Sequence, residues 1–299
     1  MKTTENKANK TIFKMFWKVA ILLLIILPRP AFSFVAYFFS PHKGDNSQNA
    51  DQQKDPSQAM DVENVYVEEL NSRLQVGGNY TYLTLQPHGH QSFEGSLGGA
   101  QASYEYRPSN RFYGGATFAW KEGSTHGSAG RRSILYFDAQ ERLGYTFATA
   151  KKDWRLTLFS GLGFRFVRQN LHPNEGSSLR FKYNEFYVPV GLLTNYEIHS
   201  CCALGVDFTW MPQIYPTVSI VPLKGAHWTL IDTLNNFYVA VPLTFTLTKN
   251  KKFLLIFKPS YEHWEDGHST AKLSGGASLG LPGNTYNYYG ADLNFAYSF

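Results

Sequence analysis

The chain has 299 residues, of which 43% are hydrophobic, 16% aromatic and 17% charged. The charged fraction lies below the roughly 25% of an average soluble domain and strand-forming residues abound, which excludes a disordered, collagen-like or coiled-coil chain. The formal net charge of +5 is contributed by residues 1–33, which carry six Lys or Arg against one Glu. The rest of the chain has no net charge, which argues against binding to nucleic acid.

The N-terminus has the order of a secretory signal peptide. A basic stretch ends at Lys18, an apolar run covers 19–27, and the small-residue site Ala31-Phe32-Ser33 follows. The apolar run is about half the ~20 residues that a membrane-spanning helix needs. We therefore predict that residues 1–33 are a cleaved export signal. The alternative is an uncleaved anchor that continues through 34–39.

The segment after the signal is predicted to be a disordered periplasmic linker over 34–71. Residues 43–58 are polar and contain almost nothing that could form a core, and such composition does not support folding. Beyond the linker no run of 18 apolar residues occurs, so helical membrane spans are excluded there.

From residue 72 onward the dominant pattern is alternation of bulky apolar residues with small or polar ones, which is typical of strands exposed to different environments on their two faces. Ten segments show it: 72–86, 97–107, 111–121, 133–148, 154–167, 185–198, 203–211, 237–248, 253–263 and 288–299.

The links between these segments alternate in length. The short links are 108–110, 149–153, 199–202 and 249–252, and the long links are 87–96, 122–132, 168–184, 212–236 and 264–287. Short turns at one end and long loops at the other are the layout of an outer-membrane barrel. The sequence therefore predicts an all-β fold, a transmembrane antiparallel up-and-down barrel of ten strands over 72–299.

The strand count has two alternatives, eight and twelve. Twelve would follow if the strand-like pieces Thr217–Leu223 and His227–Asp232 crossed the membrane. At seven and six residues they fall short of the ~9–11 that a crossing strand needs, so we predict an extracellular hairpin.

The charged residues of the alternating segments are predicted to face the lumen, because an Arg or Lys turned to the lipid midplane costs about 2–4 kcal/mol. In a narrow lumen they should pair, since an unpaired buried charge is costly. The predicted lumen charge network is Glu105, Lys121, Asp138, Arg142, Arg155, Arg165, Glu185, Glu197, Asp207, Lys258, Glu262 and Asp292. Four tryptophans at or beside segment ends are assigned to interfacial girdles: Trp120, Trp154, Trp210 and Trp264.

The last strand carries a family resemblance. Leu293, Phe295, Tyr297 and Phe299 alternate up to a terminal phenylalanine, and this resembles the C-terminal signal strand of bacterial outer-membrane barrels. With the export signal and the strand pattern, the chain is similar to the superfamily of small barrels that includes the OmpA-like membrane domain. The resemblance implies the outer membrane of a Gram-negative cell and recognition by the outer-membrane assembly machinery. It implies no activity.

Most histidines lie in the long links. His88 and His90 would place both rings on one side of an extended segment and are weak candidates for a metal site. No Cys or clustered carboxylate completes a ligand set, so we predict no metal and no cofactor. The only material for a rim-sited hydrolase, which matches no family motif, is His227, Asp232, His263 and Asp266.

These observations predict a barrel that is not an enzyme. A barrel of about eight strands is just filled by its side chains, so a ten-stranded lumen should be largely filled. Function is then expected in five extracellular loops that serve envelope structure, adhesion or surface interaction. The alternatives are a small passive, porin-like pore and, third, the hydrolase. The expected partners are outer-membrane lipid, the assembly machinery and an extracellular or host partner.

Overall fold

A computed structural model describes residues 71–149, 154–199, 201–221, 227–230, 234–272 and 278–299. The predicted signal peptide and, apart from Asn71, the predicted linker lie outside these residues and stay predictions. No helix in the described ranges is long and apolar enough to cross a membrane.

The described residues form sixteen strands, and every pairing between them is antiparallel. The strands are β1 (Ser72–Pro87), β2 (Phe93–Tyr106), β3 (Phe112–Gly127), β4 (Gly130–Ala148), β5 (Trp154–Pro173), β6 (Leu179–Tyr187), β7 (Val190–His199), β8 (Cys202–Trp210), β9 (Gln213–Val221), β10 (His227–Thr229), β11 (Phe237–Ala240), β12 (Leu243–Thr246), β13 (Phe253–Asp266), β14 (Ser269–Lys272), β15 (Ser278–Leu281) and β16 (Asn284–Ser298).

The strands close into a barrel. β1 pairs with β2 on one side and with β16 on the other, and pairing continues from β2 through β3 and β4 to β5. The next three wall strands are interrupted, so β6 with β7, β8 with β9, and β11 with β12 each make one strand of the wall. β13 pairs with β11 and β12 and with β16, which completes the ring. The predicted ten-stranded antiparallel barrel is confirmed, and the counts of eight and twelve are wrong.

Each interruption lies at a proline, at Val188-Pro189, Met211-Pro212 and Val241-Pro242. Proline has no N–H to donate to the ladder, so a strand assignment stops there. The carbonyl groups still take part. Val188 N donates to the Pro212 carbonyl at 3.1 Å, and Val241 N donates to the carbonyl of Pro259 at 3.0 Å. The wall is therefore continuous through all three breaks.

The predicted extracellular hairpin begins as part of the wall. β9 pairs with β6, and β10 pairs with β9 through Trp228↔Val218. The wall strand simply runs on past Met211-Pro212, so the hairpin adds no membrane crossing. β14 and β15 pair with each other as a separate small hairpin.

At the end opposite the short turns, most of the predicted loop sequence is strand. β3 and β4 remain paired up to Gly127↔Gly130, so the long link predicted over 122–132 is reduced to a tight turn. β5 runs on to Pro173 and pairs with β6 as far as Leu171↔Leu179, which shortens the link predicted over 168–184. Because short turns are periplasmic in outer-membrane barrels, these extensions project on the extracellular side.

The exterior nearest the short turns is an apolar belt. Bulky side chains there are strongly exposed, for example Phe112 at 77% and Leu143 at 73%. The residues of the predicted assembly signal, Leu293 to Phe299 at alternate positions, also point outward into this belt. Glu141, exposed on β4 between Ala139 and Leu143, is the belt's one charged side chain in the described chain. We call this part of the barrel the membrane section.

Beyond the belt the polarity of the wall reverses. On β1, Tyr82 is the last bulky apolar residue on the exterior, and the outward positions that follow are Thr84 and Gln86, whereas Leu83 and Leu85 point inward and are fully buried. On neighbouring strands an exterior aromatic residue lies at the same boundary, and the exterior residues on its extracellular side are polar. We call this ring the upper girdle, and it includes Tyr82, Trp120, Phe166, Phe186 and Tyr289.

Beyond the upper girdle lies the extracellular section, whose interior is a hydrophobic core. The buried residues of this core are Leu83, Leu85, Phe93, Leu97, Ile134, Tyr136, Val167, Tyr183, Tyr187, Met211, Val218, Ile220, Trp228, Leu230, Trp264, Tyr286 and Tyr288. The girdle assignment of Trp264 is wrong. Its register partner on β16 is Tyr286, and both side chains are buried inside at 1% exposure, because even-numbered positions of β13 face inward.

Candidate functional site

Arg165 lies on β5 at the boundary between the two sections and is fully buried. Its Nη1 donates to Glu262 Oε1 at 2.8 Å, and its Nη2 donates to the Tyr288 hydroxyl at 2.6 Å. Its Nε lies 3.4 Å from Glu185 Oε2. Since Glu262 is on β13 and Tyr288 on β16, the guanidinium crosses the lumen and binds the far wall.

Aromatic rings enclose this cation. The Arg165 guanidinium carbon lies 4.0 Å from the ring centroid of Trp264 and 4.8 Å from that of Tyr136. Tyr187 stacks edge-on against Trp264 at 5.5 Å and donates its hydroxyl to Asp138 Oδ2 at 2.9 Å. The predicted lumen residue Lys121 lies 4.9 Å from the Tyr136 ring. The boundary layer therefore combines paired charges with aromatic rings.

A second layer lies in the membrane section. Arg142 Nη1 donates to Asp207 Oδ2 at 3.0 Å, and its Nε donates to Gln140 Oε1 at 2.6 Å. The Arg142 guanidinium also lies over the ring of Phe159 at 4.5 Å. On the other side of the lumen, Lys258 Nζ and Asp292 Oδ2 form an ion pair at 3.0 Å. The predicted charges at these four positions thus form two neutral pairs.

A third layer lies near the periplasmic end. Arg73 Nη2 and Glu105 Oε2 form an ion pair at 2.6 Å. Arg107 is buried and faces the lumen like Glu105. It donates from Nε to Thr157 Oγ1 at 2.8 Å and from Nη2 to the Leu193 carbonyl at 3.0 Å. Because Arg107 follows β2 and Leu193 is on β7, this side chain also reaches across the lumen. It was not among the predicted lumen charges.

Two predicted lumen residues lie near the periplasmic end. Glu197 is half-exposed near the periplasmic turn between β7 and β8, where its Oε2 lies 3.6 Å from Lys251 Nζ, so it belongs to the rim and not to the lumen. Arg155 Nη1 is 3.5 Å from the Arg107 carbonyl oxygen, which places it in the periplasmic layer.

The extracellular section contains a cavity of about 590 Å³ above the boundary layer. Its lining is mainly apolar and includes Phe93, Leu171, Phe181, Val218 and Leu230. The residues at its mouth come from the short extracellular connections, among them those joining β1 to β2 and β15 to β16. We call it the extracellular cavity.

A buried cation, Arg132, lines this cavity. Arg132 on β4 is 8% exposed, and its guanidinium carbon lies 4.2 Å from the ring centroid of Phe93. Arg132 Nη1 donates to Gln169 Oε1 at 2.9 Å, and Gln169 Nε2 donates to the Tyr286 hydroxyl at 2.8 Å. Sequence analysis missed Arg132 because the predicted strand began at Ser133. The available signal was its parity, since Arg132 shares the inward register of Asp138.

The histidine candidates do not converge. His88 Nε2 lies 3.1 Å from Thr285 Oγ1 and 3.9 Å from Glu265 Oε1, whereas His90 lines the extracellular cavity. Across the described residues, no group of three His, Cys, Asp or Glu is placed to hold a metal ion.

The hydrolase candidates are also separated. His263 faces the exterior, where its Nδ1 lies 2.9 Å from Asn287 Oδ1. Asp266 faces the interior and accepts a hydrogen bond from Trp264 Nε1 at 3.1 Å. The two side chains therefore project from opposite faces of β13. His227 is in β10, and Asp232 lies outside the described residues.

Comparison with known proteins gives matches among solved structures. No family model matches the chain, and no curated protein matches it. The outer-membrane protease OmpT from Escherichia coli is 11% identical and matches with a TM-score of 0.58, covering 77% of this chain and 97% of that one.

Two further matches are less similar in structure. The translocator domain of the autotransporter NalP from Neisseria meningitidis is 10% identical, with a TM-score of 0.43 and coverage of 77% of this chain and 88% of that one. Neisserial surface protein A is 10% identical, with a TM-score of 0.33 and coverage of 76% and 97%.

At such identities the likeness to OmpT concerns the fold. The closed ring of ten strands, its apolar belt and its short periplasmic turns define a bacterial outer-membrane β-barrel. The protein is accordingly an outer-membrane barrel, embedded in outer-membrane lipid through the membrane section.

Proposed function

We propose that the protein is a non-conducting, non-enzymatic outer-membrane barrel that acts through its extracellular section, in envelope structure, adhesion or surface interaction. The observation that carries the proposal is the contact of Arg165 with Glu262 and Tyr288 on the opposite wall, at 2.8 and 2.6 Å. A side chain that binds both walls occupies the space through which solutes would pass.

The other layers support a filled lumen. Arg142 and Arg107 each reach another wall strand at a different height. Barrels near eight strands are filled by their own side chains, and water-filled channels usually take sixteen or more. Arg142 with Asp207 and Lys258 with Asp292 are neutral pairs, and the boundary layer holds both signs of charge, so a passing ion meets no single-sign path. These features favour a closed barrel over the passive pore.

The exterior of the extracellular section supports a role in surface interaction. Its outward positions are polar and often basic, in contrast to the belt below, so this surface is suited to water and polar partners. Basic outward residues on adjacent strands are Arg131, Arg168, Arg180 and Lys182. We include an extracellular or host partner in the proposal on this ground.

The non-enzymatic part of the proposal is supported by the opposed directions of His263 and Asp266 on β13. A general base must lie within hydrogen-bond reach of the group that it serves, and these two cannot serve one substrate atom together. The OmpA-like type and recognition of the C-terminal strand by the assembly machinery, through Leu293, Phe295, Tyr297 and Phe299, are also part of the proposal. Their support is the outward, exposed position of the alternating C-terminal residues.

Single-channel recording in a planar bilayer tests the closed lumen. We expect the refolded protein to show no discrete conductance steps. The triple variant Arg107→Ala, Arg142→Ala, Arg165→Ala removes the cross-lumen side chain of each layer and should show steps if it folds. Arg168→Ala, which changes an outward arginine, is the matched control and should remain silent. Uniform steps from the unaltered protein would refute the closed barrel.

A further inference from the structure

We propose that the extracellular cavity is a binding site for a small amphipathic carboxylate, with Arg132 binding the carboxylate group and the apolar walls holding the rest of the molecule. This inference rests on the proposed function, because a closed lumen makes the cavity a blind site and not the entrance of a channel. It assigns a ligand class to the extracellular section.

The first argument is the charge of Arg132. Its Nη1 bonds a neutral amide oxygen, its Nε has no hydrogen-bond acceptor, and it forms no salt bridge with any residue that the structure describes. Arg165, similarly buried, contacts two carboxylates. A buried charge without a partner is costly, and the cost is removed when an anion binds. Arg132 is therefore a cation that lacks its counter-charge within the described chain.

The second argument is the geometry of the guanidinium. Arginine presents donors in a planar fork that matches a carboxylate, and such charge-assisted bonds are stronger than neutral ones. The flat face of the Arg132 guanidinium is occupied by the Phe93 ring at 4.2 Å, so the fork is held in one plane. Arg132 is the one Lys or Arg among the described residues of the lining, so the site favours a ligand with one negative charge.

The third argument is the cavity itself. A volume of about 590 Å³ falls within the ~300–1,000 Å³ that is usual for small-molecule sites, which are apolar with few polar groups. Polar atoms are sparse here too. Apart from Arg132, the polar side chains of the described lining are His90, Gln91, Tyr183 and Asn284, and Asn284 Nδ2 already donates to the Tyr183 hydroxyl at 3.2 Å. An apolar body of modest size with one anionic end fits this lining.

The fourth argument is that the cavity ends blindly. Its walls belong to the same buried cluster as Trp264, Tyr286 and Tyr288, which lie around the Arg165 layer. A molecule that enters from the extracellular side is stopped there. The structure thus favours capture of the ligand over its passage.

The test uses 4-phenylbutanoate and its neutral amide as probes, titrated by calorimetry against the full barrel in lipid nanodiscs, with empty nanodiscs as the blank. We expect saturable binding of the carboxylate, at least about tenfold tighter than binding of the amide, since a charge-assisted bond contributes more than tenfold. Equal affinity for the two probes, or no binding of the carboxylate above the blank, would overturn the proposal without any variant.

Two variants locate the site. Arg132→Met should lower the affinity for the carboxylate by about tenfold or more and leave that for the amide unchanged. Arg180→Gln, an exposed exterior arginine bonded to Asn170, should change neither. Unchanged carboxylate affinity in Arg132→Met, with folding verified by heat-modifiable migration in a gel, also overturns the proposal. Failure of the closed-lumen proposal would appear separately, as conductance steps from the unaltered protein.

Discussion

The membrane section and the extracellular section are built from the same strands, yet their polarities are opposite. In the membrane section Val76 and Tyr80 of β1 face outward and Gln75 and Asn79 face inward, whereas above the upper girdle Leu85 is inside. The strand parity does not change between them. What changes is the solvent outside the wall, and each section places apolar side chains where water is absent.

Two buried arginines show the same contrast. Arg165, at the boundary, contacts two carboxylates, Glu185 and Glu262, and so has its counter-charge within the protein. Arg132, in the extracellular section, has only a neutral partner, Gln169, in the described chain. Burial alone therefore does not tell whether an arginine is structural. Its partners do.

The largest expected loss of stability comes from a substitution that breaks the boundary layer. Arg165→Met should lower the free energy of unfolding by about 3–5 kcal/mol, because it leaves two carboxylates buried without their cation. Arg132→Met is the matched variant and should change this free energy by less than about 1 kcal/mol, because removal of a buried charge without a counter-charge offsets the loss of its hydrogen bond to Gln169. Urea unfolding in lipid vesicles, followed by tryptophan fluorescence, measures both. Equal losses would show that the two sites do not differ as described.

The next largest loss of stability is expected in the core of the extracellular section, and it can be compared with a substitution in the apolar belt on the same strand, β1. Leu85→Ala should cost about 2–5 kcal/mol, because a fully buried leucine leaves a cavity in the core of the extracellular section. Val76→Ala should cost about 1 kcal/mol, because acyl chains fill the space that the smaller side chain leaves and only the transfer of the lost methyl groups counts. The same urea unfolding measurement gives the stability loss of each variant. A smaller loss at Leu85 than at Val76 would contradict the core of the extracellular section.

The smallest effect tests the position of the upper girdle on the exterior of β1. Val76→Arg should lower stability by about 2–4 kcal/mol, because it turns a cation to lipid. Gln86→Arg, on the same face beyond Tyr82, should change it by less than about 0.5 kcal/mol, because that face is in water. Comparable losses would place Gln86 inside the membrane and move the boundary outward.

Several features could be predicted from the residues alone. The alternation in 72–86 and 288–299 predicts the two strands that close the ring, and the structure pairs them from Arg73↔Ser298 onward. The lengths of the links predict which end holds the tight turns. These are local properties, since a pleated strand sends successive side chains to opposite faces whatever its neighbours are.

Other features could not be predicted in this way. The inward position of Trp264 depends on its pairing with Tyr286, and both lie in sequence that was assigned to a long loop. The extracellular strand extensions were hidden because apolar residues there mark the interior and polar ones the exterior, the reverse of the rule that holds in the belt. If apolar residues are assumed to face outward along the whole strand, these segments look irregular and are assigned to loops.

The sequence by itself determined the ring of ten strands, its apolar belt and its outer-membrane class, because period-two alternation and turn spacing act over a few residues. Only the tertiary structure decided which charges meet, that Arg165 joins opposite walls, and that Arg132 lies beside an apolar cavity. Those relations join residues that are up to 123 positions apart. They follow from barrel closure, which brings distant strands to one axis and which no local pattern encodes.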